Sequence, residues 1–553
     1  MDVISAALKT ALAASGKVAI NSGDKTVTYS ALLLSADQIC SLLKNKFVTD
    51  GGLVEAQDGF PRGVRESLGR KRDGPCVGIM TTPSPAFVAA VWGAWLQGCV
   101  VVPLCLSFPE AELMHVVENA KISLILVTEE NRKIVERLAA KTSAELVILP
   151  RIETLHGKGE YATELRHKVR LDIESRVSTP SDDTAALIIY TSGTTGKPKG
   201  VVHTHSGLGA QLRLISEAWA CDSQDRFLHC LPLHHVHGFI NALTTPLYVG
   251  AVVDFLPKFS TNGVWHSWRK CYPVDAEASE CPITVFTGVP TMYVRLLQGY
   301  ANMDPQLQKA SAHAAKQLRL MLCASSALPE TVLDEWESVT GHRLVERYGM
   351  TEFGMGLSNP LHGEKKAGFV GKPLPGIEIK VDETISDVEG VGELLFKSPS
   401  MFREYWRQPQ ATKDSFTEDG YFKTGDTVRI DEDGYVKILG RTSVDILMVG
   451  GFKLSALEIE AVLLQHPVIA ECAVFAIPDN DYGEVPCAVI VPSVAYAATG
   501  RKTLSLIELQ SWASERLAPY KIPKKLIALE SMPRNAMGKV NKKELRKTFT
   551  PIS

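Results

Sequence analysis

Short apolar runs alternate with longer amphipathic stretches along most of the chain: CVGIM from Cys76, then PSPAFVAAVWGAWLQG, VVVPL, PEAELMHVVENAKI and SLILVT. Runs rich in Val, Ile and Leu read as strands buried on both faces, and the segments between them are long enough for crossover helices. The alternation therefore predicts an α/β fold of layered, parallel β-α-β units. A chain of 553 residues also exceeds what one hydrophobic core sustains, so more than one structural unit is expected.

The clearest boundary falls after GYVKILGR, where a hairpin marked by EDGY closes the first large unit. This divides the chain into residues 1–441, a large N-terminal domain of layered β-α-β subdomains, and residues 442–553, a small α+β domain. The second part carries HPVIAECAVFAIPD, VPCAVIVPSVAY, the helical stretch TLSLIELQSWASERL and a basic tail. From Gly51 to Gly74 the sequence is Gly-rich and charged and reads as a loop or insertion. The TVTYSALL run from Thr26 reads as strand-like.

A net charge of -3 offers no broad basic surface for nucleic acid. Eleven cysteines, none in a CxxC pair, argue against a disulfide framework or zinc ribbon and read as buried thiols. The opening residues fit neither a signal peptide nor an Arg-rich transit peptide, and no apolar run reaches the ~20 residues needed to span a bilayer. The C-terminal Thr-Pro-Ile-Ser is not the peroxisomal Ser-Lys-Leu signal. Cytosol is the expected compartment.

Chemistry is concentrated first in Tyr190-Thr-Ser-Gly-Thr-Thr-Gly-Lys-Pro-Lys-Gly200, which follows the strand AALIIY. Its glycines, hydroxyls and backbone N–H groups suit a phosphate cradle, with a mobile surface loop as the plainer alternative. It is not a Walker A loop: Gly193 and Gly196 are too close together, and Pro198 replaces the Ser or Thr that would hold magnesium. Taken singly, Lys539 reads as part of a solvated basic tail, Glu352 as a helix-start carboxylate and Asp426 as a turn cap.

In order along the chain, this loop and four later motifs resemble the signatures of the adenylate-forming superfamily, which includes acyl-CoA synthetases, luciferases and the adenylation domains of peptide synthetases. The resemblance implies ATP, Mg2+ and coenzyme A as the small molecules used. It assigns ATP phosphates to Thr191, Ser192, Gly193, Thr194, Thr195, Gly196, Lys197 and Lys199. The Arg347-Tyr348-Gly349-Met350-Thr351-Glu352 motif, with Ser326, is assigned to adenine and the nucleotide, and Thr194 with Glu352 to magnesium. Asp426, in Tyr421-Phe-Lys-Thr-Gly-Asp426, and Arg441 are assigned to the ribose, and Lys539, in Pro533-Arg-Asn-Ala-Met-Gly-Lys539, to catalysis beside Glu352. Gly450, Gly451 and Lys453 match the loop facing coenzyme A. The small domain is then expected to rotate between half-reactions about Ser443, a position where Asp or Lys is common; Met448 also stands where many relatives carry Lys. Both departures bear on the thioester step.

The acyl pocket is expected from Leu231-Pro-Leu-His-His-Val-His-Gly238, with His235 at its gate and His237 two residues on. Histidines at 229, 234, 235 and 237 lack the partners and spacing of a zinc site. The helical run from Val289 to Leu297 carries Arg295 at the edge of an apolar stripe; its residues alone leave an internal salt bridge and a ligand contact equally open. Together with SSALP, Met355 and Ser358-Asn359-Pro360, these residues are similar to malonyl-CoA synthetases, most closely the plant type. That likeness implies malonate as substrate, its second carboxylate neutralised by His237 and Arg295. Another short diacid such as methylmalonate, or a short monocarboxylate, is the alternative. Ala324 replaces a glycine usual at the pocket wall, and its methyl is expected to disfavour a branched acid. A monomer or weak homodimer is the expected state.

Overall fold

The computed structural model describes residues 1–553 except 15, 50–72, 153–172, 175–182, 192–197, 386–389, 450–451, 480–481, 494–503, 535–539 and 551–553. Most of the Gly51–Gly74 insertion, the phosphate-loop residues Ser192, Gly193, Thr194, Thr195, Gly196 and Lys197, the pair Gly450-Gly451 and Lys539 therefore lie outside the described residues.

The alternating pattern folds into two large sheets that share one apolar core. In one, the strands Val18–Ser22, Val252–Phe255, Arg226–His229, Val285–Gly288, Leu320–Cys323 and Val345–Met350 lie side by side and parallel. Antiparallel neighbours finish its edges, among them Gly354–Ser358 beside Val345–Met350. In the other, Ala185–Tyr190, Val100–Pro103, Cys76–Met80, Leu124–Val127 and Glu145–Ile148 run parallel, and Gly200–Thr204 pairs antiparallel with Ala185–Tyr190. The helix Pro85–Leu96 is buried nearly all round, as its unbroken apolar sequence requires of a helix between layers. It crosses Tyr29–Thr49 closely at Gly93, where a Cβ would meet Ile39 Cβ at 2.7 Å and Ala36 O at 2.8 Å. Trp92, Trp95, Leu187, Leu212, Phe239 and Val253 belong to the shared core.

The strand expected from Thr26 ends at Thr28, and Tyr29–Thr49 is helix. Alternating apolar residues misread the start because the Thr28 hydroxyl accepts the Ala31 N–H (3.2 Å) and so caps a first helical turn.

A four-stranded antiparallel sheet, Glu378–Asp382, Val391–Lys397, Phe422–Ile430 and Val436–Arg441, ends on the hairpin expected around EDGY. Beyond it the hairpin Ile446–Val449 with Phe452–Ser455, and a sheet of Ile469–Asp479, Gly483–Pro492 and Lys525–Ala528, build two further apolar clusters. The eleven cysteines are all free thiols. No helix among the described residues is long and apolar enough to cross a membrane.

Candidate active site

The residues singled out from sequence fall into two groups on either side of the Val345–Met350 strand. Successive side chains of a strand point to opposite faces, and here that rule separates two neighbours. Tyr348 donates from its hydroxyl to Asp426 Oδ2 (2.5 Å). Arg347, one residue earlier, is 2% exposed and turns away from that cluster.

On the Tyr348 side, Asp426 lies directly across the Phe422–Ile430 and Val436–Arg441 ladder from Arg441. That register lets Arg441 Nε reach Asp426 Oδ1 at 2.9 Å while Arg441 Nη1 donates to Thr424 O at 2.8 Å. Glu352 is buried, and Tyr405 donates from its hydroxyl to Glu352 Oε1 (2.7 Å). Burial raises the Glu352 carboxyl above the ordinary range, and the Tyr405 hydrogen bond only partly opposes that. Lys199 at the base of the phosphate loop sits over the Tyr405 ring, 4.9 Å from its centroid. The loop spans an antiparallel hairpin, Tyr190 opposite Gly200, and Thr191 N–H donates to Lys199 O (2.9 Å). That topology differs from the strand-to-helix passage of a Walker A loop, in keeping with the residue pattern. A buried carboxylate whose charged form is penalised, with one oxygen held by a phenol and a lysine nearby, is suited to a divalent cation beside phosphate oxygens. Glu352 thus fits magnesium.

On the opposite face, Arg347 reaches the C-terminal ends of the parallel strands. Its Nη2 donates to Thr287 Oγ1 and to His237 Nε2. Because a guanidinium only donates, Nε2 of His237 is the acceptor, and the ring proton belongs on Nδ1, which faces Ser325 Oγ at 3.2 Å. Burial, with the Arg347 charge adding to it, holds the His237 pKa well below the ordinary value, so the ring is neutral. The Arg347 guanidinium carbon stands 4.5 Å from the Trp219 ring centroid. Its Nε and Nη1 are buried and meet no hydrogen-bond acceptor among the described residues. Burial pulls its pKa down to about 9, which leaves it cationic at neutral pH.

His237 opens a buried π-helical segment, His237–Thr244, a geometry enriched at functional sites. His235 lies against His234, ring centroids 4.1 Å apart and the ring planes tilted by 54°. His229 is structural: its Nε2 donates to Gly238 O (2.9 Å). Ala324 is buried at the end of the Leu320–Cys323 strand, its N–H donating to Gly288 O (3.3 Å), and Ser325 follows at φ +79°. Met355 is buried, with both backbone groups held by Gln211. The Asn359 side chain ties Glu346 O to Phe369 O and so serves structure.

Two of the expected residues lie apart from the groups assigned to them. Arg295 is not beside Arg347 and His237. The helix Pro290–Ala301 turns Tyr293, Leu296 and Leu297 inward, with the Tyr293 hydroxyl donating to Leu322 O at 2.7 Å. Two residues further on is about 200° round the helix, so Arg295 is exposed and borders a surface groove of about 620 Å³ with Thr261, Gln298 and Asn302. Arg347, assigned to the nucleotide, has its side chain with His237 instead. Ser326 is exposed near the strand end, and Lys453 is exposed opposite Met448. Gly349, Met350 and Thr351 continue from Tyr348 toward Glu352.

Sequence reasoning missed Thr287, Trp219 and Tyr405. Thr287 was within reach, because VFTG places one hydroxyl in an otherwise apolar buried strand. Trp219 carries no local signal, since it meets Arg347 only through the fold.

The chain belongs to the AMP-binding enzyme family, whose model matches residues 60–406; the C-terminal domain of AMP-binding enzymes matches residues 458–539. Fold and site thus define an adenylate-forming ligase with large and small domains. Among individual relatives, the malonate–CoA ligase of Arabidopsis thaliana is 51% identical, covering 99% of this chain and 89% of its own length. A probable CoA ligase, CCL8, of Humulus lupulus is also 51% identical, over 100% of this chain and 92% of its own. The crystal structure of ATP-bound MatB from Rhodopseudomonas palustris superposes with a TM-score of 0.78 at 30% identity, covering 99% of each chain.

Proposed function

We infer that this chain is an AMP-forming malonate–CoA ligase: it converts malonate, ATP and coenzyme A to malonyl-CoA, AMP and pyrophosphate through a malonyl-adenylate. The observation that carries the choice of acid is Arg347, a buried cation with N–H groups on Nε and Nη1 that no described acceptor satisfies. Burying such a charge without an anion costs several kcal/mol, and a ligand with a second carboxylate removes that penalty. A fatty acid offers nothing to it.

In the first half-reaction one malonate carboxylate oxygen bonds to the α-phosphorus of ATP while the bond to pyrophosphate breaks. Lys539 and Lys199 supply positive charge to the oxygens that become more negative, and the loop residues Thr191 to Lys197 supply hydrogen-bond donors. Asp426 and Arg441 hold the ribose, and Tyr348 fixes the Asp426 carboxylate for that task. Glu352 with Thr194 would hold magnesium, which supplies charge neutralisation on the phosphates. Arg347 and neutral His237 anchor the far carboxylate, so that the near one approaches in a single orientation. In the second half-reaction the coenzyme A thiolate bonds to the acyl carbon and AMP leaves, with Gly450, Gly451 and Lys453 on the coenzyme A side. The division at residues 441 and 442, rotation of the small domain about Ser443, a monomeric or weakly dimeric state and a cytosolic location complete the reading.

A panel of small mono- and dicarboxylates, scored for coenzyme A-dependent AMP release, tests it. Malonate is expected to give the highest specificity constant, and methylmalonate a lower one because of the Ala324 methyl. Preference for acetate or for a longer monocarboxylate would overturn the assignment.

A further inference from the structure

The Arg347 guanidinium poses a physical problem that the hydrogen-bond network leaves open. A cation this deeply buried needs compensation when no substrate is present, yet a resident carboxylate would compete with the substrate for the same N–H groups. Among the described residues only Nη2 is engaged, by Thr287 and His237, both neutral. The remaining partner is Trp219, 1% exposed, whose ring lies 4.5 Å from the guanidinium carbon.

An aromatic face stabilises a cation through the negative charge density above the ring and offers nothing that accepts an in-plane N–H. Trp219 is also firmly mounted. It caps the end of the helix His205–Ala218, its N–H donating to Ile215 O at 3.1 Å. The next residue, Ala220, takes φ +46° and ends the helix. The Trp219 carbonyl accepts from Arg319 Nη1 at 2.9 Å, and Arg319 is paired with buried Asp225. Asp225 in turn accepts the Thr284 hydroxyl (2.7 Å) beside the strand that supplies Thr287.

We propose that Trp219 is a specificity-determining positioning residue: its indole face stabilises and orients the Arg347 guanidinium, leaving the N–H groups of Nε and Nη1 free for the second carboxylate of a short dicarboxylic acid. This rests on the malonate reading above. Trp219 acts through Arg347 and touches no reacting atom. It satisfies the cation electrostatically without occupying the position of the substrate.

The test compares Trp219→Leu and Trp219→Phe with the wild-type enzyme, measuring KM and kcat for malonate and for acetate, and KM for ATP. Loss of a desolvated cation–π contact is worth about a tenfold change in affinity or somewhat more. Trp219→Leu is expected to raise the malonate KM about tenfold, with kcat, the ATP KM and the acetate specificity constant within about twofold of wild type. Trp219→Phe, which keeps an aromatic face, is expected to recover most of the malonate affinity. A malonate KM unchanged in Trp219→Leu would overturn the proposal. So would a uniform loss across malonate, acetate and ATP in Trp219→Phe, the variant closest in shape, since that is the signature of a packing role alone. If the wild-type enzyme itself preferred acetate, the malonate reading would fall first; a malonate-preferring wild type with an indifferent Leu variant would remove only the role of Trp219.

Discussion

The two faces of the Val345–Met350 strand handle charge in opposite ways. On the Tyr348 face the described cations have company: Arg441 pairs with Asp426, and Lys199 sits by Tyr405, which holds Glu352. On the Arg347 face the cation has a neutral histidine, a hydroxyl and an indole and, among the described residues, no carboxylate. The first face holds an ion pair before any ligand arrives and suits a nucleotide whose ribose hydroxyls exchange hydrogen bonds with it. The second offers no anion among the described residues and so suits an acid with a second carboxylate.

The comparison is broken most severely by removing charge at the reacting end. Lys539→Ala is expected to lower adenylation, followed by pyrophosphate exchange, by roughly a thousandfold, in line with loss of a preorganised transition-state contact. Thioester formation from preformed malonyl-adenylate should be largely spared. Equal loss of both steps would remove Lys539 from its assigned place.

Removing the unpaired cation comes next. Arg347→Ala is expected to reduce kcat/KM for malonate by roughly a hundredfold, within the range of about 2–5 kcal/mol for breaking a buried charge pair. The ATP KM should stay within about threefold of wild type. A variant whose ATP KM rises as much as its malonate KM would return Arg347 to the nucleotide face.

Titration sharpens the contrast with a smaller effect. Arg347 is pulled to about 9 by burial, and its protonated form is the one that binds a carboxylate. The malonate KM should therefore be flat from neutral pH to about 8.5 and rise above pH 9. His237 is held neutral far below its ordinary range, so no inflection near pH 6.5 should appear. A malonate KM that falls as pH passes 9 would contradict the sign. The smallest effect expected is that of Arg295→Ala: an exposed side chain on the outer face of its helix should leave the malonate KM within about twofold, and a large rise would show that it does reach the acid.

Much of this was legible in the chain. Parallel layers followed from apolar runs separated by crossover lengths, and the closeness of Asp426 and Arg441 followed from motif spacing, because a hairpin register is a local property and one turn joins them. The acyl site was legible only in part. His237 was found because its neighbours are distinctive. Arg295, at the edge of an apolar stripe, leaves an internal salt bridge and a ligand contact equally open from sequence, and helical phase sends it outward. Arg347 was absorbed into the motif around Tyr348, although strand alternation places the two on opposite faces. Trp219, Thr287 and Arg347 come from a helix end and two strands, and only the tertiary fold makes them neighbours.

The central claim is tested most directly by a crystal structure of the enzyme with malonyl-adenylate or a non-reactive analogue. The free carboxylate is expected within about 2.7–3.1 Å of Arg347 Nε or Nη1, the range of charge-assisted hydrogen bonds. A carboxylate turned to solvent or to Arg295, with no acceptor on Arg347 Nε or Nη1, would contradict it.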